Sequence, residues 1–205
     1  MQAEFLASPL VELERNASSA SLSTESQKGT PQVHLLPELQ QEADLIITSP
    51  LKRTLQTTLI GWAPAIERLG LKNVICLPEA QECNDYPCDT GSSREELEKD
   101  PEFAGLNFEL LEPDWNSKQG VWSPDVDAVT QRAMWIRQYL YERKEKTIVF
   151  VGHGDLIRRI IGSPTGKSKA HWQNAEVRIF EFYPEAVITP ERWLHETTFV
   201  AAGFK

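Results

Sequence analysis

The sequence is poor in the features that mark several large protein classes. No apolar run approaches the roughly 20 residues needed to cross a bilayer, so no transmembrane helix and no membrane partner is expected. The opening MQAEFLASPL lacks the basic region and long apolar stretch of a secretory signal. The expectation is a soluble, cytoplasmic protein. Cysteine is scarce and odd in number: Cys76, Cys83 and Cys88. Three thiols build no paired disulfide framework, and with no histidine near them they fall short of the four ligands of a zinc site. Buried or loop thiols are the simpler reading, and no metal is expected. Basic residues are also in deficit, 21 against 30 acidic, for a net charge of −9. A nucleic-acid partner needs a Lys/Arg surface, and none is evident. A small anion remains open, because a few arginines focused in a cleft can hold one whatever the global charge. No internal repeat is present, and the oligomeric state is not legible.

What remains is ordinary globular material. A chain that is 40% hydrophobic and 25% charged over 205 residues can bury a sizeable core, and a single domain over residues 1–205 is expected. Val11–Leu13 is a possible first strand. NASSASLSTESQKGTPQ, residues 16–32, reads as a loop. Leu35–Glu42 suits a short helix. DLIIT, residues 44–48, is a compact apolar run of the kind that forms a buried strand. Ser49 then offers an N-cap and Pro50 a first helical position, which predicts a helix over Leu51–Ala63. A second strand fits 73–77.

From 79 to 123 the pattern breaks into turns, with Arg94–Lys99 a short helix. This stretch reads as a lid-like insertion over the active-site end. Its Trp115 and Trp122 are candidates for a pocket wall, with anchoring of the loop as the alternative. Val129, Ala133, Ile136 and Leu140 recur at helical spacing and predict a helix over 125–144. TIVFV, residues 147–151, is the clearest strand. A helix follows over 155–161, an edge strand is expected over 176–183, and the chain could return to the sheet near 199–202. Strands alternating with helices imply an α/β fold: a three-layer sandwich, its central sheet mostly parallel, with helices on both faces. In such sheets ligands bind beyond the carboxyl ends of the strands.

Three of those strand ends carry one chemical theme: ERNAS after the possible first strand, SPLKRTLQTT from Ser49, and GHGD from Gly152. Arg53, in the first turn of its helix, can grip an anion with its planar fork. His153 stands between Gly152 and Gly154, which let a ligand approach the backbone. Each is weak alone; the order along the chain carries the weight.

That combination resembles the histidine phosphatase superfamily, in its phosphoglycerate-mutase-like branch of broad fungal type. SPLKRTLQT is similar to that family's second motif, LPEAQE (77–82) to the segment with its acidic proton donor, and VFVGHG (149–154) to the segment with its second histidine. YPCDTG (86–91), NAEV (174–177) and the Gly29/Gln32 pair resemble further family segments. The resemblance implies a phosphohistidine mechanism, with two arginines and the second histidine on the phosphoryl oxygens, and no cofactor. By position it implies Glu82 and His153 as catalytic residues, and Arg15, Arg53, Asn174 and Gly154 as anion-binding ones.

The departure lies in the first motif, where the family has Arg-His. Here Arg15 is followed by Asn16, whose amide nitrogen is not basic and cannot be phosphorylated as imidazole is. Either Asn16 replaces the nucleophile or the first motif is absent; both remove it. His34, beside Leu35 and Leu36, reads as structural. The leading expectation is therefore a repurposed acid–base enzyme of the kind found in specialised metabolism. It would hydrolyse, dehydrate or isomerise a small organic anion, carboxylate or phosphate. The alternatives are a degenerate phosphomonoesterase and a non-catalytic anion-binding protein.

Overall fold

The computed structural model describes residues 10–14, 37–162, 169, 171–183 and 194–200, with 10–14 and 195–200 as backbone only. The strands are β1 (Leu10–Glu14), β2 (Leu45–Thr48), β3 (Ile75–Cys76), β4 (Ile148–Gly152), β5 (Val177–Phe182) and β6 (Leu194–Val200). They form one sheet in the order β3-β2-β4-β1-β5-β6. The pairs β3/β2, β2/β4 and β4/β1 are parallel, while β5 runs antiparallel to both β1 and β6. The helices are α1 (Pro37–Glu42), α2 (Lys52–Gly61), α3 (Ala63–Leu69), α4 (Arg94–Lys99), α5 (Val126–Tyr141) and α6 (Gly154–Ile160). This is the mostly parallel α/β fold that the alternating pattern predicts.

Every residue of β2 and β4 is buried, as parallel strands covered on both faces require. Side chains alternate across a strand, so each strand feeds two cores. Leu45, Ile47, Ile148 and Phe150 pack with Val129, Ala133, Ile136 and Leu140 of α5 and Leu156, Ile157 and Ile160 of α6. Ile46, Val149 and Val151 pack on the other side with Trp62, Ala65 and Ile66. A third cluster joins Leu51, the N-cap of α2, and Leu55 within it to Leu97, Phe103, Phe108, Leu111 and Trp115, so most of its members come from the 79–123 segment.

Polar side chains close the gaps that helix ends leave. Gln40, 2% exposed, donates to the Gly61 carbonyl at 2.9 Å and accepts from the Ala65 N–H at 3.2 Å, tying α1 to the α2–α3 junction. Arg137 donates to the carbonyls of Arg159, Ile160 and Gly162, capping the end of α6 where unpaired carbonyls collect. Ser93 and Glu96 form the reciprocal capping box that starts α4.

Three expectations are corrected. Ser49 does not cap a helix beginning at Pro50: α2 starts at Lys52, its N-cap is Leu51, and the Ser49 hydroxyl is engaged elsewhere. The helix expected to Ala63 ends at Gly61, and α3 starts anew, because Pro64 offers no N–H and its ring obstructs the preceding turn. Strand β5 is interior, not an edge, since β6 pairs along its outer side. Of the two readings left open for Trp115, its full burial in the third cluster fits anchoring of the loop.

A Cβ on Gly91 would stand 2.1 Å from Trp115 Cη2. Gly91→Ala is therefore expected to destabilise the protein by about 1–3 kcal/mol through overpacking, read as a lower midpoint in denaturant unfolding.

Candidate functional site

The site is assembled at the carboxyl ends of the parallel strands. β2 ends at Thr48, and Ser49 and Arg53 follow within five residues. β4 ends at Gly152 and His153 follows directly, as the N-cap of α6, whose first residue is the buried Gly154. β3 ends at Cys76, and a short helical turn over Pro78–Ala80 leads to Glu82. Parallel alignment of β2 with β4, Thr48 beside Val151, sets these ends side by side. A main-chain bond from the Ser49 N–H to the Val151 carbonyl, 2.9 Å, extends the ladder into the site.

Three side chains predicted from sequence meet there. Arg53 Nη2 lies 3.2 Å from His153 Nδ1 and 3.7 Å from Glu82 Oε2, and His153 Nδ1 lies 3.7 Å from the same oxygen. The other ring nitrogen, Nε2, lies 2.8 Å from Ser49 Oγ. A guanidinium can only donate, so Nδ1 must accept, and the ring proton belongs on Nε2 and points to Ser49. His153 has no exposed surface, and its pKa is held well below the ordinary 6.5 by burial first and then by Arg53, Lys118 and Arg132. The imidazole is neutral and fixed in one tautomer.

Glu82 is 5% exposed, and burial raises its pKa. A bond from the Cys83 N–H to Oε1, 2.8 Å, and the charge of Arg53 oppose that shift, while Asp89 and Asp155 reinforce it. A carboxyl biased towards its protonated form can give a proton to a departing oxygen.

The sequence reading missed Asp89, Lys118 and Arg132. Asp89 Oδ1 accepts from Arg53 Nη2 at 3.0 Å, and Arg53 Nη1 donates to the Cys88 carbonyl. Lys118 Nζ and Arg132 Nη2 both donate to the Glu82 main-chain oxygen, at 2.9 and 3.3 Å. Two cations sharing one neutral oxygen lie within about 6 Å of each other and repel by about 3 kcal/mol at an effective dielectric near 20. PCDTG holds Asp89 in plain view, but nothing in the spacing ties residues 118 and 132 to Glu82.

The other expected residues are placed apart. Asn174 lies in an exposed turn before β5, at the end of the sheet where Val177 pairs with Leu13. Trp122 lines an open groove of about 980 Å³ with Glu79, Val121, Val126, Arg132 and Trp135; Arg53, Glu82 and His153 do not line it. Arg15, Asn16, Gly29, Gln32 and His34 lie outside the described residues. Glu14, the last residue of β1, stands in register with Gly152, immediately before His153. All three cysteines are free thiols, Cys76 and Cys83 buried and each pushed up to about 12, chiefly by burial. Among the described residues no group of three or more His, Cys, Asp and Glu side chains is placed to hold a metal, and no helix is long and apolar enough to cross a membrane.

A family model described as the histidine phosphatase superfamily (branch 1) matches residues 26–193. The chain belongs to this superfamily. A probable phosphatase of Schizosaccharomyces pombe is 31% identical over 117 residues, 56% of this chain and 53% of its own length. A phosphoglycerate mutase-like protein of Arabidopsis thaliana is 23% identical over 154 residues, 62% of this chain and 55% of its own. The chain thus spans about half the length of these curated relatives. Among solved structures, a phosphoserine phosphatase variant of Entamoeba histolytica in complex with phosphoserine matches at a TM-score of 0.54 and 18% identity, over 95% of this chain and 98% of that one. That likeness is one of fold.

The tautomer assignment has a direct check. In a long-range proton–nitrogen correlation spectrum near pH 6, His153 is expected to be neutral, with its proton on Nε2. A charged ring, or a proton on Nδ1, would contradict the geometry.

Proposed function

We propose that this site binds a phosphate-like anion and cleaves a phosphomonoester, with Glu82 as proton donor and no phosphohistidine intermediate. The observation that carries this reading is the convergence of Arg53, Glu82 and His153 within 3.7 Å at the carboxyl ends of β2, β3 and β4. Arg53 offers fixed positive charge where a phosphoryl oxygen would sit, and preorganised charge of this kind is the largest contribution to most phosphoryl transfer. His153 fixes one face of that guanidinium, and Gly154 leaves backbone room beside it. Asn174, at the same end of the sheet, would complete the rim.

Arg15 and Asn16 follow β1 directly in sequence, and β1 ends in register with the residue before His153. In this reading Arg15 is a second anion-binding arginine and Asn16 stands in the nucleophile's place. Its amide can orient a water molecule but cannot be phosphorylated, so water attacks phosphorus directly. Segment 79–123, which supplies Glu82, Asp89 and Lys118, acts as the lid. The named relatives favour phosphoryl chemistry, whereas dehydration or isomerisation has no residue of its own here to favour it. A carboxylate ligand would meet the same cations.

Phosphate release from an aryl phosphate tests this. Wild type should turn over slowly; Glu82→Gln should lose about 10²–10⁴-fold and Arg53→Met about 10²–10³-fold. Asn16→His should raise the rate by restoring covalent capture. No phosphate release from either wild type or Asn16→His would discard the phosphomonoesterase reading.

A further inference from the structure

We propose that Lys118 is an anion-binding residue of this site, its ammonium meeting the bound oxyanion from the main-chain side of Glu82 while Arg53 meets it from the carboxyl side. The inference rests on the phosphate-anion reading and adds a residue to it that no sequence motif marks.

The segment around Lys118 is built to deliver that one charge. Trp115, fully buried, packs against Gly91, and Asn116 Nδ2 donates to the Gly91 carbonyl at 2.8 Å. Lys118 itself takes a left-handed backbone, φ 57°, unusual for a residue with a Cβ. The result is a half-buried ammonium 2.9 Å from the Glu82 carbonyl, with no carboxylate within ion-pair distance among the described residues. Arg132 makes the imbalance sharper. It is 5% exposed and bonds the same carbonyl through Nη2, and its Nε and Nη1 have no nitrogen or oxygen partner, with the Cys83 thiol and Glu79 as its other neighbours. Buried cations are ordinarily paired, and here buried Arg132 and half-buried Lys118 share one neutral acceptor. Glu82, beside them, has its own pKa raised by burial, and it and Asp89 act on Lys118 from beyond ion-pair distance. An oxyanion is the missing partner.

The groups around Lys118 are Arg132, Asp89, Glu82 and Cys83, and burial is the main cause that lowers its pKa to about 8. Its charge is present below that value and lost above it, so anion affinity should fall as pH rises through 8. Cys83, pushed up to about 12, stays neutral through that range.

Tungstate keeps its charge over this range and serves as the probe, with binding followed by titration calorimetry. At pH 7 wild type should bind, Lys118→Met should bind at least about tenfold more weakly, and Lys118→Arg should stay within about threefold of wild type. From pH 7 to pH 9 wild-type affinity should fall by about tenfold, and that of Lys118→Arg by less than about threefold, because arginine keeps its charge. Equal tungstate affinity in wild type and Lys118→Met, or an equal alkaline loss in wild type and Lys118→Arg, overturns the proposal. Binding lost in Arg53→Met but kept in Lys118→Met would overturn it while sparing the site. Absence of binding in wild type would sink the anion reading and this one together.

Discussion

A histidine ring with no exposed surface must find both of its hydrogen-bond partners inside the protein, and the site is organised around how His153 does so. Ser49, after the end of β2, takes the proton on Nε2, and Arg53, in the first turn of α2, donates to Nδ1. Both partners come from one short stretch of chain, SPLKR, and the ring comes from the neighbouring strand. The parallel register of β2 with β4 is therefore also the geometry of the site. A shift of that register by one residue would reverse which side chains face each core and would part His153 from both partners.

Charge is distributed against the protein's overall sign. A chain of net charge −9 gathers Arg53, Lys118 and Arg132 around a single buried glutamic acid. Lys118 and Arg132 are held by one neutral carbonyl, and Arg53 by an imidazole and the Asp89 carboxylate. Burial first, then Arg53, Lys118 and Arg132, keep the His153 ring neutral, and burial raises the Glu82 pKa. The same low-polarity surroundings thus raise the Glu82 pKa and strengthen the field of the cations beside it.

Sequence reading reached the parallel strands because apolar runs such as LIIT and TIVFV need burial on both faces, and reached Arg53, Glu82 and His153 because they sit in contiguous motifs at strand ends. It misjudged Ser49, whose position before Pro50 has the form of a helix cap but whose hydroxyl serves the histidine. It misplaced β5, because partial alternation marks an edge strand and an interior antiparallel strand alike. It left Trp115 open between wall and anchor, a choice made by Gly91, which admits the indole only because it lacks a Cβ.

The sequence by itself determined the elements, their alternation and the motif residues, since these depend on local periodicity and contiguous pattern. The tertiary structure alone decided which charges face one another. Asp89 reaches Arg53 across 36 positions, Lys118 reaches Glu82 across 36, and Arg132 reaches it across 50. No local rule encodes such distances, because they follow from how the segment over residues 79–123 and helix α5 pack around the carboxyl end of the sheet.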